Sequence, residues 1–411
     1  MLLAMAALVL IHTRGTTDVT RYWMVWADKI LKFGFVDGYR EIGMDYPPLT
    51  SQVLGFAVWV GGLVGATNLL SIKISALLAL LASTAIFWRV TQHYWAAILF
   101  FVAVMLHSAG DGYLDIYYAP LLIGALTALR NNRFGWFSLF YAIACLFKWQ
   151  PLIIGPFLGI YIWRKMNDGT HSQRDRLSIV IQCLTPPLLA GLAAILIFGA
   201  QPLGHALYLT FTMHKMLSAF ALNLPWVVSH TLEVVMPERF GSLNAGEAHI
   251  LNNAPNGVQL ALRLLFVGVY GLLMLRAWTR SLSFTTTVSY CLAGFMTYCL
   301  LSTGVHENHM FIAVLLALYL FSMSEISVET VIWVAVMLNV NLYLFYSGDG
   351  ILAKLPRNLF GVVDTALLAS IFNCVVYGAW VFGYLRREHS VRRPVASPHP
   401  VSAPVATPIQ A

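Results

Sequence analysis

Charge is scarce in this chain. Only 10% of its 411 residues are Asp, Glu, Lys or Arg, 59% are hydrophobic, and the mean hydropathy is +0.72. Such a balance excludes a disordered polar chain and cannot give every element a solvated face. The net charge of +7 does not make a nucleic-acid surface, because Lys and Arg fall in short clusters between apolar runs, as the positive-inside bias predicts. Cysteine is also sparse. Cys145, Cys183, Cys291, Cys299 and Cys374 all lie within apolar runs, with no Cys-x-x-Cys or Cys/His ligand spacing, so neither a disulfide framework nor a zinc site is implied. There is no repeat at a solenoid period. The absence of any Asn-x-Ser/Thr sequon favours a bacterial inner membrane over the endoplasmic reticulum.

What the chain has in abundance is continuous apolar sequence. A bilayer core of ~30 Å is crossed by ~20 mostly apolar residues, and unpaired backbone in lipid forces helices or closed barrels. Continuous rather than alternating apolar runs choose helices, so the expected fold is an all-α polytopic membrane protein. Runs near 2–12, 69–88, 95–108, 113–129, 134–147, 150–163, 177–198, 258–275, 283–303, 309–323, 328–346 and 361–385 give about twelve spans. The first resembles a signal-peptide core in length but lacks a basic leader and a small-residue cleavage site, and reads as a short or clipped first span.

The basic clusters test this count. Arg89, Arg130 with Arg133, Arg164 with Lys165, Arg174 with Arg176, Arg276 with Arg280, and Arg386 to Arg393 share one side only if the stretch from about Leu49 to Val64 is an interfacial helix and not a crossing. Loop 13–48, Ser108 to Gly112, Lys148 to Gln150, segment 199–257, Val305 to His309 and Ser347 to Arg357 then all face the opposite, extracytoplasmic side. Residues 1–387 form one membrane domain in this reading, with 13–68 its first outer loop and 199–257 an outer cap. Residues 388–411, rich in Pro, Ala, Ser and Val, read as a disordered cytoplasmic tail.

The outer loops hold the polar residues worth weighing. Asp18 and Arg21 lie three apart, followed by Tyr22, Trp23 and Trp26. A carboxylate kept ionised by an arginine serves as a general base at a membrane surface, or simply caps a short loop helix while the aromatics form a belt. In Asp45-Tyr46-Pro47-Pro48-Leu49-Thr50 the prolines hold the preceding residues extended and start a helix. Asp111 and Asp115 are four apart, hence on one helical face, with Asp111 as an N-cap and Asp115 facing a polar cavity.

Lys148 stands between two spans on the side opposite the basic clusters, either holding an anion or snorkelling to the surface. His306-Glu307-Asn308-His309 interrupts two apolar runs. Its histidines are one residue too close for the zinc-protease spacing, which leaves phosphate binding or a satisfied loop cluster ahead of a metal. Arg357 is a further candidate phosphate partner.

These residues, in this order, resemble the GT-C glycosyltransferases, and among them the dolichyl-phosphate-glucose-dependent α-1,3-glucosyltransferases and their bacterial relatives. The resemblance rests on Asp18 with Arg21-Tyr22-Trp23, on Asp45 to Thr50, and on Val305-His306-Glu307, and covers about residues 1 to 385. It implies a GT-C fold with interfacial loop helices, and an inverting hexosyltransferase using a sugar carried on polyprenyl phosphate. Asp18 would be the general base and His306 a holder of the donor phosphate, with no metal or other cofactor.

Lys148 and His309 join His306 as expected phosphate-binding cations. Arg21, Asp45, Tyr46, Asp115 and Glu307 are expected to position substrate. The expected partners are the lipid-linked donor, a glycan or lipid-linked acceptor, and membrane lipid. A transporter or flippase of lipid-linked saccharide, or a non-catalytic scaffold of glycan assembly, would need similar intramembrane charges.

Overall fold

The computed structural model describes residues 2–213, 215–244, 246–280, 282–346, 355–359 and 363–390. They form an all-α membrane protein. Six helices are long and apolar enough to cross a membrane: α5 (Asn68–Thr91), α10 (Gln173–Phe198), α14 (Asn256–Thr279), α15 (Phe284–Leu301), α17 (Val328–Tyr346) and α18 (Thr365–Ser390). Shorter apolar helices fill the bundle between them: α1 (Leu2–Ile11), α6 (Tyr94–Met105), α7 (Ala119–Arg130), α8 (Phe134–Phe147), α9 (Gly155–Met166) and α16 (Phe311–Ser322). The first outer loop of the sequence reading is itself helical, as α2 (Met24–Phe33), α3 (Phe35–Ile42) and α4 (Pro48–Leu63).

Solvent here is lipid, and burial shows it. In α15 and α16 nearly every side chain is buried, so these two helices are the centre of the bundle. By contrast α10 turns Leu184, Leu188, Leu189, Leu192 and Leu196 outward, and α14 does the same with Leu260, Leu264, Val267 and Leu275. Apolar residues all round a helix mark a membrane span when no protein covers them.

Short connections make consecutive helices antiparallel, and this sorts their ends. Arg89, Arg130, Arg164 with Lys165, and Arg276 stand in the last turns of α5, α7, α9 and α14. Arg174 and Arg176 open α10 at that same end. The opposite end collects the C-terminus of α8 and the N-termini of α5, α7, α9 and α16.

Helix α4 lies along this second end. Its first turn meets α8, where the Thr50 hydroxyl donates to the Phe147 carbonyl, and its last turn meets the start of α5, where Gly61 leaves no room for a Cβ against Ser71. Both contacts are with helix ends remote from the basic clusters.

Segment 199–257 contributes α11 (Ala200–Thr212), α12 (Leu224–Val235) and α13 (Pro237–Phe240), with small apolar cores of their own beneath. Two residues of it, β1 (Ser218–Ala219), pair in parallel with β2 (Val305–His306), with Ala219 opposite His306. A second short pair joins β3 (Asn358–Leu359) to β4 (Val363–Asp364). His214 and residues 391–411 lie outside the described residues; α18 itself runs on to Ser390.

One expected span is broken. Where the apolar run predicts a helix over 113–129, Leu114–Tyr117 form a 3-10 turn and α7 begins only at Ala119; ahead of it the expected outer turn consists of a π turn at Leu106–Gly110 and a bend at Gly112, φ 76°. Asp111 therefore caps no helix N-terminus, and Asp111 and Asp115 do not share a helical face. Gly112, at φ 76°, supplies the left-handed backbone of the bend, which glycine adopts at least steric cost.

Candidate functional site

Asp18 sits at the start of a π-helical turn, Val19–Trp23, that runs directly into α2. Its approach is fixed by pairing with the broken segment 106–118. The Thr16 backbone N–H donates to the Asp111 carbonyl at 3.2 Å, and Val19 packs so closely on Gly112 that a Cβ there would come within 2.8 Å of it. Two irregular loops from distant parts of the sequence are thereby zipped side by side, one carrying Asp18 and the other Tyr113 and Asp115.

The Asp45-Tyr46-Pro-Pro element closes over this pair. Tyr46 stands edge-on to Trp23 and Trp26, with ring centroids 5.7 and 5.5 Å away, and the Tyr39 hydroxyl donates to its carbonyl. The Asp45 carbonyl accepts from the Trp149 indole and from the Thr210 hydroxyl, both at 3.0 Å. Burial pushes the Tyr46 phenol well up, and the carboxylates of Asp45, Asp115, Asp18 and Glu307 push it further. Four acids from four separate segments thus lie within electrostatic range of one ring.

Asp115 is buried and its charge is matched. The Lys148 ammonium donates to both carboxylate oxygens, at 2.9 and 3.1 Å, and the Tyr118 hydroxyl donates at 2.8 Å. His107 Nε2 lies 3.5 Å from the same group. Burial would raise this carboxyl, but Lys148 and His107 outweigh it and hold Asp115 well below the usual carboxylate range. Lys148 also faces the Tyr46 ring, 5.5 Å from its centroid.

Glu307, buried in the 3-10 turn ahead of α16, lies within electrostatic range of Asp18 and Tyr46. It accepts from the Tyr113 hydroxyl and from the Tyr346 hydroxyl at 3.1 Å, while its carbonyl accepts from the Asn341 amide at 3.1 Å. Burial first, and the nearby Asp18 second, push its carboxyl up to about 7 against the pull of these two hydroxyls. A group poised there exchanges protons near neutrality.

The two histidines are placed by different elements. His306 ends β2, while His309 lies in the following 3-10 turn, with ring centroids 5.3 Å apart. They do not share a helical face as an i, i+3 pair would. His309 stacks on Tyr298, its Nδ1 2.9 Å from the phenol oxygen, and accepts the His306 backbone N–H.

Of the residues singled out from sequence, Asp18, Asp45, Tyr46, Asp115, Lys148 and Glu307 gather in one place, with His306 and His309 adjoining through the Glu307 turn. Arg21 is exposed. Arg357 is engaged elsewhere, 3.3 Å from Glu247 and bonded to the Ala248 carbonyl. In segment 199–257, His205 is exposed on α11 and His230 half-buried on α12. Tyr113 and Tyr118, neighbours of Asp115 in the sequence, complete the cluster with His107 and Tyr346, which read in the sequence as polar atoms inside apolar runs. Among the described residues no group of three His, Cys, Asp or Glu side chains is placed to hold a metal ion.

No protein-family model matches this sequence, and no match to a curated protein is found.

Proposed function

We propose that this chain is an integral membrane inverting glycosyltransferase of GT-C type, with twelve passes and its site on the extracytoplasmic side. The observation that carries the reading is the convergence of Asp18, Asp115 with Lys148, and Glu307 within electrostatic range of Tyr46, at the end of the bundle remote from the basic helix ends. Three of these belong to the segments that resemble that family, and they come from loops with no reason to meet in a protein that merely packs in lipid.

Asp18 takes the proton of an acceptor hydroxyl. The freed oxygen attacks the anomeric carbon of a hexose from the side opposite its phosphate, the bond from that carbon to the phosphate oxygen breaks, and polyprenyl phosphate leaves with the electron pair, inverting the centre. Charge building on the phosphate is met by His306 and His309 and by Lys148. Because Asp115 already matches Lys148, the histidines carry the larger part. Asp45, Tyr46 and Glu307 hold sugar hydroxyls.

The test is transfer of labelled hexose from a panel of polyprenyl-phosphate sugars to glycan and lipid extracts, comparing purified wild type with Asp18→Asn. Transfer by wild type that vanishes in the variant supports the reading and names the donor. Transfer that survives the substitution moves the base elsewhere; no transfer from any donor returns the chain to a transporter or scaffold.

A further inference from the structure

Lys73 is buried completely, five residues into a membrane-spanning helix, α5, and no step of the proposed reaction uses it. Its ammonium reaches across to the end of α1, where it donates to the Leu10 carbonyl at 2.8 Å, to the Thr13 carbonyl at 2.7 Å, and to the Thr13 hydroxyl. Three donors on one ammonium meet three oxygens. The last carbonyls of a helix are the groups its own ladder leaves unpaired, and a cation is favoured there.

What lies beyond this contact matters more than the contact. The Thr13 hydroxyl that accepts from Lys73 lies 2.8 Å from both the Leu10 and the Gly110 carbonyl, and its one proton is shared between the end of α1 and the facing loop. Three residues on, Thr16 bonds Asp111 O through its backbone N–H at 3.2 Å and through its hydroxyl at 3.4 Å. Between them Gly15, at φ 76°, turns the chain with its α-carbon facing the Asp111 carbonyl. Lys73 therefore holds the joint at which loop 13–18 is fastened to loop 110–113.

We infer that Lys73 is a positioning residue, whose hydrogen bonds to Thr13 and Leu10 set the placement of the Asp18 turn against the Tyr113 segment. The value of that placement for catalysis rests on the proposed transfer reaction; the placement itself does not. Lys73 touches none of the reacting atoms and acts through Thr13.

Amide hydrogen exchange on the full chain in nanodiscs tests it without reference to activity. In Lys73→Met, peptides covering 13–23 are expected to exchange about tenfold faster, while those of α10 and α14 keep their wild-type rates. Should Lys73→Met fail to fold, Thr13→Val against Thr13→Ser decides: Val, which lacks the hydroxyl, speeds exchange at 13–23, and Ser restores it. Unchanged exchange at 13–23, or an equal rise in every helix, overturns the inference. Where wild type transfers hexose, kcat falls in Thr13→Val with the donor KM within about twofold, the signature of a displaced group that is not a binding contact. Loss of transfer in wild type would overturn the proposed reaction while leaving the exchange result to judge Lys73.

Discussion

Tyr113 and Glu307, 194 residues apart in the chain, are joined by a hydrogen bond from phenol to carboxyl, with both partners buried. The bond ties the broken segment after α6 to the turn that opens α16, the two sides of the candidate site. Tyr113→Phe removes a donor and leaves Glu307 with Tyr346. A buried acceptor that loses a partner costs ~1–3 kcal/mol, so the variant should unfold at lower temperature and transfer hexose more slowly. Thermal unfolding in detergent and the transfer assay check the two halves separately.

Glu307 also sets a pH dependence whose sign is fixed. Its carboxyl is raised in the folded chain from 4.5 to about 7, so folding favours the protonated form. The stabilisation is full below about 4.5 and is lost as pH climbs through about 7, an effect of at most about 3 kcal/mol at 1.36 kcal/mol per unit. Stability should therefore fall between pH 5 and 8, and Glu307→Gln should flatten that fall. Asp115 acts in the opposite sense and outside this window, since its lowered carboxyl contributes above its ordinary range and loses that contribution only as pH falls through strong acid. A wild-type profile that is level from pH 5 to 8 would contradict the assignment.

The Asp115 and Lys148 pair separates stability from function. Lys148→Met leaves a buried carboxylate without its cation, and breaking one side of such a pair costs ~3–5 kcal/mol. Adding Asp115→Asn removes the stranded charge and should return most of that loss. If the proposed reaction holds, transfer remains depressed in the double variant, because the departing phosphate is then without the lysine. A double-mutant cycle by thermal unfolding, with transfer measured on the same four proteins, checks both statements.

Arg357 supplies the contrast. Its ion pair with Glu247 is half-buried and its guanidinium lies over the Phe345 ring at 5.0 Å. Arg357→Ala should cost about 1 kcal/mol or less and leave the rate of transfer within about twofold of wild type, below ~0.5 kcal/mol in the barrier. A loss of donor affinity in that variant would restore it as a phosphate partner.

Much of this was legible in the chain itself. Apolar runs at 134–147, 177–198 and 328–346 became helices within a few residues of their expected bounds, because in lipid the backbone has no other way to pair. Asp18, Asp45 and Glu307 stood out because a charge among apolar residues is expensive.

The residues that escaped notice are those whose cost is met by a partner far away in sequence. Lys73 looks like one cation in a long span until Thr13 is brought to it, 60 residues back. Tyr346 looks like an aromatic of the core until its hydroxyl turns to Glu307, where Tyr113 from beside Asp115 joins it. His107 stands at the end of an expected span, and only the turn that follows brings Asp115 to it; the 3-10 turn at Leu114–Tyr117, where helix was expected, lies beside residues 16–19 through the Thr16 and Val19 contacts.

The π turns at Val19–Trp23 and Leu106–Gly110 carry a consequence for how the site tolerates change in length. A π turn is an α-helical turn with one residue added, and each residue advances a helix by about 100°. The two turns therefore act as phase shifts, aiming Asp18 and His107 in directions that an unbroken helix would give to their neighbours. Removing one residue from the first, at the exposed Thr20, would let α2 keep its packing while swinging Asp18 about 100° out of line. A substitution there is a surface event, whereas a deletion re-aims the carboxylate.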